Sequence, residues 1–361
     1  MFAVFAIAII ILYVLLISRF IKGWEDTPAL ETDKMPAQIP VTIITAFKNE
    51  EANLRKLAEA LDNQTYQNFE WILVDDHSTD KSVAVINEVI EQGFFGIKLL
   101  KNSGEGKKEA LRTAMHEAKN EWVITLDADV LPTEDWLLNI VAHQEKYPSD
   151  LLICPVKIAD STSLLGQFQQ FEFAALVASG AGAAKIGIPI LCNGANLAFR
   201  KSQWLKNEQK LHFDEASGDD VYLLQSIKKS HGAVRFLKSK KAAVQTSAKD
   251  NLFAFLRQRH RWAGKKAMYR DKELLITALL IFLASVVMLT TAVLAVFRDY
   301  YPSLLLLLFL SKLAVDGVFF WKIKDFFGLK NVLLKSFLFS VVYPFYVVLA
   351  TVGAVFSRNR W

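Results

Sequence analysis

Four stretches of this 361-residue chain carry almost no polar side chains, and they lie at its two ends. The first, FAVFAIAIIILYVLLIS at residues 2–18, has no charge and approaches the roughly 20 residues that span a bilayer. A secretory signal peptide would look similar. No basic residue precedes the run, however, and no small-x-small cleavage site follows it; Arg19 and Lys22 come after. It reads as a retained helix over 1–21 with its C-terminal end in the cytosol, by the bias of cations toward that side. Three more apolar segments, 274–296, 303–321 and 334–356, make 273–361 a membrane region. Alternate crossings put FRDYYPS outside, the KIKDFFGLK loop inside and the terminal SRNRW outside. The KIK cations agree with this order, whereas Arg358 and Arg360 oppose it. Pro344 marks a kink or a partial insertion in the last segment.

Between these ends, from about 38 to 250, the pattern changes to short β-rich runs alternating with helical periodicity. VTIITAF (41–47) precedes NEEANLRKLAEAL, whose leucines at 54, 57 and 61 recur at helical spacing. FEWILVDD (69–76) precedes STDKSVAVINEVIEQG. IKLLKN (97–102) precedes GKKEALRTAMHEA, and EWVITLDAD (121–129) precedes PTEDWLLNIVAHQ. Repeated strand-helix units predict an α/β domain with a mostly parallel sheet, in which ligands bind beyond the carboxyl ends of the strands. PALETDKMPAQIP joins the first helix to this domain.

Composition supports a division between lipid and water: 52% of residues are hydrophobic, yet 22% are charged. Two cysteines, Cys154 and Cys192, are too few for a disulfide framework or a zinc cage and suit a reduced cytosol. The net charge of +5 is concentrated toward the end of the domain, above all in RQRHRWAGKK at 257–266.

Two of the predicted strand ends carry paired acids. VDDHSTD gives Asp75 and Asp76, although Asp and Ser also make ordinary turns. LDADV gives Asp127 and Asp129, two carboxylates that reach one hard cation from a bent loop, with water and phosphate oxygens completing its shell. SGDDVYLL places Asp219 and Asp220 before a helical run, where acids also serve as plain helix-start residues worth roughly 1 kcal/mol. GEGKK lacks the third glycine of a dinucleotide loop and the Ser or Thr of a P-loop. DADVLPT lies on the fourth strand rather than the first and has Leu131 where an aspartyl phosphatase motif wants Thr or Val. The loop after the first strand has no nucleotidyltransferase signature.

In order, VTIITAFKNEE, VDDHSTD, LDADV, NGANLAFRK, SGDDVYLL and Gln258-x-x-Arg261-Trp262 resemble the membrane-bound family-2 glycosyltransferases, across about 40–262. QxxRW is similar to the motif of cellulose, chitin, hyaluronan and poly-N-acetylglucosamine synthases and of ceramide glucosyltransferase. The resemblance implies a GT-A fold over 38–250, an interfacial QxxRW segment over 251–272, a nucleotide-diphosphate sugar donor and Mg2+ or Mn2+. It implies that Asp76 contacts the nucleotide base with Asp75 beside it, that Lys107 lies near the nucleotide, and that Asp127 approaches ribose and metal while Asp129 binds the metal. Asn193, Gly194 and Asn196 would line the donor-sugar and acceptor pocket. Asp220 would be the catalytic base, with Asp219 beside it where many relatives have Glu. Gln258 and Arg261 would cover the donor diphosphate, and Trp262 would stack on the acceptor.

The expected function is inverting sugar transfer to a membrane lipid or lipid-linked acceptor by a multi-pass protein, with the catalytic domain in the cytoplasm of a bacterial inner membrane. No nucleic-acid partner is expected. A processive polysaccharide synthase is the first alternative, and a non-catalytic nucleotide-sugar-binding membrane protein is an alternative of another class. Three features remain beside these. Residues 172–191 are apolar but read as a helix and loop by the acceptor site rather than a span. Lys312 and Asp316, four apart in the third apolar segment, are expected to pair or face an interior. Arg257, Arg259, Lys265 and Lys266 fit a collar attracted to anionic lipid.

Overall fold

The computed structural model describes residues 1–94, 96–211, 218–264, 271–299 and 301–356, with the backbone alone at 355 and 356. Two compact units emerge. One comprises Thr27–Ala159 with Leu191–Ser247, the other Met1–Asp26, Asp160–Ile190 and Ala248–Trp361. The second unit thus takes residues 160–190 out of the middle of the linear 38–250 segment.

The first unit is built on a seven-stranded sheet. The strands β1 (Val41–Phe47), β2 (Phe69–Asp75), β3 (Ile97–Lys101) and β4 (Trp122–Leu126) coincide with the four runs read from the sequence. They are parallel in the order β3-β2-β1-β4, so the chain winds outward from β1 to one side and then crosses to the other. β7 (Asn196–Arg200) lies antiparallel on β4. It is followed by β5 (Leu151–Ile153), antiparallel to β7, and β8 (Val234–Phe236), parallel to β5. β6 (Val156–Ile158) and β9 (Val244–Thr246) form a separate parallel pair. Ile43, Ile44, Ile72, Leu73, Val123 and Ile124 are wholly buried, as strands covered on both faces require. The connecting helices are α2 (Leu54–Asp62), α3 (Ser82–Glu91), α4 (Lys107–Glu117) and α5 (Trp136–Lys146), at the helical runs that follow each strand in sequence.

On α5, His143 is buried, and its Nδ1 has no hydrogen-bond partner. Burial, aided by the nearby Arg235 cation, pushes its pKa down to about 4. The native state therefore keeps His143 neutral while the unfolded chain protonates near pH 6.5, so its contribution is complete above pH 6.5 and is lost as pH falls toward 4. The full-length protein is expected to lose up to about 3 kcal/mol through this group over that window. His143→Gln should flatten the fall between pH 7 and 5 in denaturant titrations. An unchanged slope would remove His143 as its source.

The second unit gathers the apolar helices. Among the described residues four are long and apolar enough to cross a membrane: α1 (Phe2–Asp26), α10 (Lys272–Phe297), α11 (Tyr301–Phe327) and α12 (Val332–Phe356). Ile11, Leu15, Ile276, Val296, Leu306, Leu334, Phe345 and Leu349 are exposed on them, the composition of a lipid-facing perimeter. Helix α11 runs to Phe327, so most of KIKDFFGLK is helix and only residues 328–331 link it to α12. The loop read from the sequence is therefore corrected to a helix end. Helix-forming residues continue past the apolar segment, and the chain leaves the helix only at Gly328, whose φ of 70° is left-handed. Arg358 and Arg360, on which the expected side of the C-terminus turned, lie outside the described residues.

Residues 172–191 fall in α6 (Leu164–Lys185) and the loop after it. This helix packs on α1 at an unusually close crossing. A Cβ on Gly182 would stand 2.2 Å from the Phe20 carbonyl oxygen, and one on Gly23 would stand 2.2 Å from that of Gly182. The small residues of EFAALVASGAGAAK thus serve backbone approach, as in helix pairs that lack a hydrophobic drive to associate. Lys312 and Asp316 do pair, one turn apart on α11 and both buried. Tyr13 on α1 donates to Asp316 at 2.7 Å.

Candidate active site

The carboxyl ends of β1, β2 and β4 meet at the point where the winding direction reverses, the usual ligand crevice of an open α/β sheet. Loops there are tied to one another before any ligand is considered. The Asp76 N–H donates to the Phe47 carbonyl at 2.8 Å, and that of Asn102 to the Asp75 carbonyl at 2.9 Å. Asn49 and His77, just beyond β1 and β2, both adopt left-handed backbone with φ of 57° and 59°. Such conformations cost energy outside glycine and persist because their neighbours hold them. Asn49 Oδ1 accepts the Thr79 N–H at 2.8 Å, and the His77 ring bonds the Gly104 carbonyl at 2.8 Å.

Asp75 and Asp76 are both buried at the end of β2. Asp75 Oδ1 accepts the Ser78 N–H at 2.9 Å, closing the turn. Asp76 Oδ1 accepts Asn102 Nδ2 at 2.7 Å and the Gly106 N–H at 2.8 Å, so it fixes the loop that launches α4. Gly106 sits at φ 87° and starts that helix. This pinning aims the next residue, Lys107, at Asp127, with which it forms an ion pair. Burial would lower the Lys107 pKa; the carboxylates of Asp127, Asp219 and Asp220 outweigh it and raise the value instead. Lys108, adjacent in sequence, goes elsewhere: it is buried, bonds the Leu211 carbonyl at 2.9 Å and lies over the Tyr222 ring.

The NGAN segment links the acids of β4 to those of α8 (Asp219–Lys229). Thr125 Oγ1 donates to the Gly194 carbonyl at 2.9 Å, and the Gly194 N–H donates to Asp220 Oδ2 at 3.2 Å. Asp220 Oδ1 accepts the Val221 N–H at 2.8 Å. Gly218 at φ 96° precedes the helix, so Asp219 and Asp220 occupy its first turn, where the partial positive end of the peptide dipoles favours anions. Asn193 Oδ1 closes a local turn on the Ala195 N–H at 3.0 Å. Asn196 corrects the sequence reading. Its side chain is 0% exposed, its Oδ1 accepts Trp136 Nε1, and its Nδ2 donates to the Pro155 and Ala242 carbonyls, which leaves nothing for an acceptor sugar.

Lys107, Asp127, Asp219 and Asp220 therefore form one electrostatic cluster. Glu50, just past β1, joins Asp127 and Asp129 in a second grouping, and sequence reading had not singled it out. Burial pushes its carboxyl up, the Asn53 hydrogen bond opposes this, and Asp129, Asp127 and Asp80 add to the rise. Its position beyond a strand end in KNEE was the available signal. Among the described residues no three Asp, Glu, His or Cys side chains converge as a ready metal cage. The donor set is the pair of hard carboxylates Asp127 and Asp129. The Lys107 ammonium rests on the first of these carboxylates.

Gln258, Arg261 and Trp262 belong to the helical unit, on α9 (Leu252–Ala263). Arg261 is exposed and Trp262 half-buried. One face of Trp262 lies under the Arg259 guanidinium at 4.2 Å, and Phe173 stands beside it, so at most the other face is open to stacking. Arg259 itself is 4% exposed and paired with Glu172, which removes it from the expected cationic collar. Arg257 is exposed, while Lys265 and Lys266 lie outside the described residues.

A mixed sheet with acids at these strand ends has the architecture of the GT-A glycosyltransferases. A mannosyltransferase from Pyrobaculum calidifontis, solved with GDP-Man and Mn2+, shares the fold with a TM-score of 0.60 over 99% of this chain and 100% of that one, at 17% identity. Residues 42–205 match the family model described as Glycosyl transferase family 2. A beta-monoglucosyldiacylglycerol synthase from Nostoc sp. is 36% identical over 106 residues, 28% of this chain and 22% of that protein. A poly-beta-1,6-N-acetyl-D-glucosamine synthase from Staphylococcus aureus is 25% identical over 154 residues, 42% of this chain and 36% of that one. The chain spans well under half the length of these relatives.

Proposed function

We propose that this protein transfers a sugar, with inversion, from a nucleotide-diphosphate sugar to a lipid or lipid-linked acceptor at a membrane surface. The observation that carries the reading is the cluster of Lys107 with Asp127, Asp219 and Asp220 inside a family-2 domain. An acceptor hydroxyl is a poor nucleophile, so a base must take its proton as its oxygen attacks the anomeric carbon. Asp220 suits that role because the Gly194 N–H and the start of α8 fix its carboxylate. The new C–O bond forms on the face opposite the nucleotide, the bond from anomeric carbon to diphosphate oxygen breaks, and the proton ends on Asp220. Lys107 supplies positive charge where the departing diphosphate gathers negative charge. Asp129 and Asp127 would hold Mg2+ or Mn2+, which neutralises the same charge when bound. Asp75 and Asp76 frame the nucleotide end. Gln258 and Arg261 on α9 are assigned to the diphosphate and Trp262 to the acceptor. The membrane helices favour a lipid acceptor, in a cell membrane with the sheet unit in the cytoplasm.

The likeness to a poly-N-acetylglucosamine synthase supports a second reading, a processive polymerase. Product analysis separates the two. Full-length protein with radiolabelled nucleotide sugars and native lipid extract is expected to yield a single organic-soluble labelled product. A ladder would mean polymer synthesis. No nucleotide diphosphate release from any common donor, with Mn2+ or Mg2+, would overturn both readings in favour of a binding protein.

A further inference from the structure

The QxxRW helix is held by a buried ion pair that the motif does not contain. Asn251 caps α9, its side chain accepting the Ala254 N–H at 2.9 Å. Just before it, Lys249 is bracketed by Gln169 of α6, whose amide both donates to its carbonyl and accepts its N–H at 2.9 Å. One turn further along α6, Glu172 takes Arg259 in a two-pronged pair: Nε donates to Oε1 at 3.0 Å, and Nη2 donates to Oε2. Tyr346 of α12 donates its hydroxyl to the same Glu172 Oε1 at 2.8 Å. Both charged side chains are about 5% exposed, a burial that is tolerable only when the partners are fully bonded. Phe255 and Tyr346 stack at 5.4 Å, and Phe168, Phe171 and Phe339 pack around them.

The remaining reach of Arg259 goes to the motif. Its Nη1 donates to Gln258 Oε1 at 2.7 Å, and its guanidinium lies over the Trp262 ring at 4.2 Å and the Phe255 ring at 4.7 Å. Arginine has donors only, so the amide atom facing it must be the oxygen. The Gln258 NH2 is thereby the end of the amide that does not face Arg259, a donor suited to a phosphate or hydroxyl oxygen.

We infer that Arg259, anchored by Glu172 and Tyr346, is a positioning residue that sets the amide orientation of Gln258 and the ring plane of Trp262. Its assigned action runs through Gln258 and Trp262. The inference rests on the reading that Gln258 and Trp262 contact donor and acceptor. It also makes α6 and α12 part of the apparatus that aims the motif, so these helices do more than anchor the chain.

A double-mutant cycle on the full-length protein in nanodiscs tests this, with wild-type sugar transfer as the control. Arg259→Lys keeps the charge but loses the fork and is expected to lower kcat by about 10-fold or more, as loss of charge-assisted hydrogen bonds implies. In a Gln258→Ala background the same change should cost clearly less than in the wild type, because one of its two routes is already cut. The Trp262 signal, obtained by difference against Trp262→Phe in each background, should change its emission in both Arg259→Lys and Glu172→Gln. Tyr346→Phe, which spares the ion pair, provides a milder variant should Arg259→Lys fail to fold; its kcat loss of about 2- to 5-fold should also shrink with Gln258→Ala. Multiplicative losses, or an unchanged Trp262 signal, would overturn the inference. If the wild type transfers no sugar at all, the functional reading falls separately, and the Trp262 signal alone decides the positioning.

Discussion

Asp220→Asn is expected to reduce sugar transfer by 10²- to 10⁴-fold, the range that a positioned general base contributes, while leaving donor affinity within a few-fold. The substitution is nearly isosteric. An asparagine oxygen still accepts the Gly194 N–H that now goes to Asp220 Oδ2, so the link between the NGAN turn and α8 survives. What disappears is a group able to take the acceptor proton, together with the second oxygen that now accepts the Val221 N–H. Lys107 also loses one of the carboxylates that sustain its charge, yet Asp127 remains in direct contact with it, so the diphosphate side of the site is largely preserved. Transfer rates and calorimetric donor binding on the same preparation check both halves. Turnover within tenfold of wild type would remove Asp220 from the base role.

Asp129→Asn should abolish the metal-dependent part of donor binding, a loss of about 100-fold or more in affinity in the presence of Mn2+, since a bound cation supplies several kcal/mol of charge neutralisation. The expected effect is cleaner than that of Asp127→Asn. Asp127 is paired with Lys107, so its neutralisation would also leave an ammonium short of its nearest counter-charge and disturb the loop before α4. Nucleotide-sugar binding measured against Mn2+ concentration, for wild type and variant, decides the matter. Equal affinity with and without metal in the wild type would sink the assignment of Asp129.

Short β-rich apolar runs and period-3.6 patterns in the chain revealed its four parallel strands and their helices, because each element must bury its apolar surface and the pattern of apolar residues records where that surface lies. The acids at the strand ends were legible for a related reason: a parallel sheet places its ligands at its carboxyl ends, so polar residues just past a buried run stand out. Other features were hidden. Asn196 sits in the same NGAN motif as Gly194, but only the packing of β7 against β4 and α5 shows it to be fully buried and spent on structure. Glu50 looked like one acid among several in KNEE until the folded loops put it within reach of Asp127 and Asp129. Arg259 counted as one cation in a basic run, since charge density says nothing about which side chain turns inward.

By itself, then, the sequence determined the apolar ends, the α/β core, the acid pairs and their order, all of which are local in the chain and follow from periodicity and from turn chemistry. Tertiary structure decided the matters that depend on partners distant in sequence. It withdrew residues 160–190 from the sheet unit and packed them on α1, where glycine allows backbones to touch at Gly23 and Gly182. It distinguished Lys107, aimed at Asp127, from Lys108, buried beside Leu211. It also set Arg259 on Glu172, 87 residues earlier in the chain. Burial of a charge is permitted only where folding brings a counter-charge and hydrogen bonds to it, and no local pattern encodes that meeting.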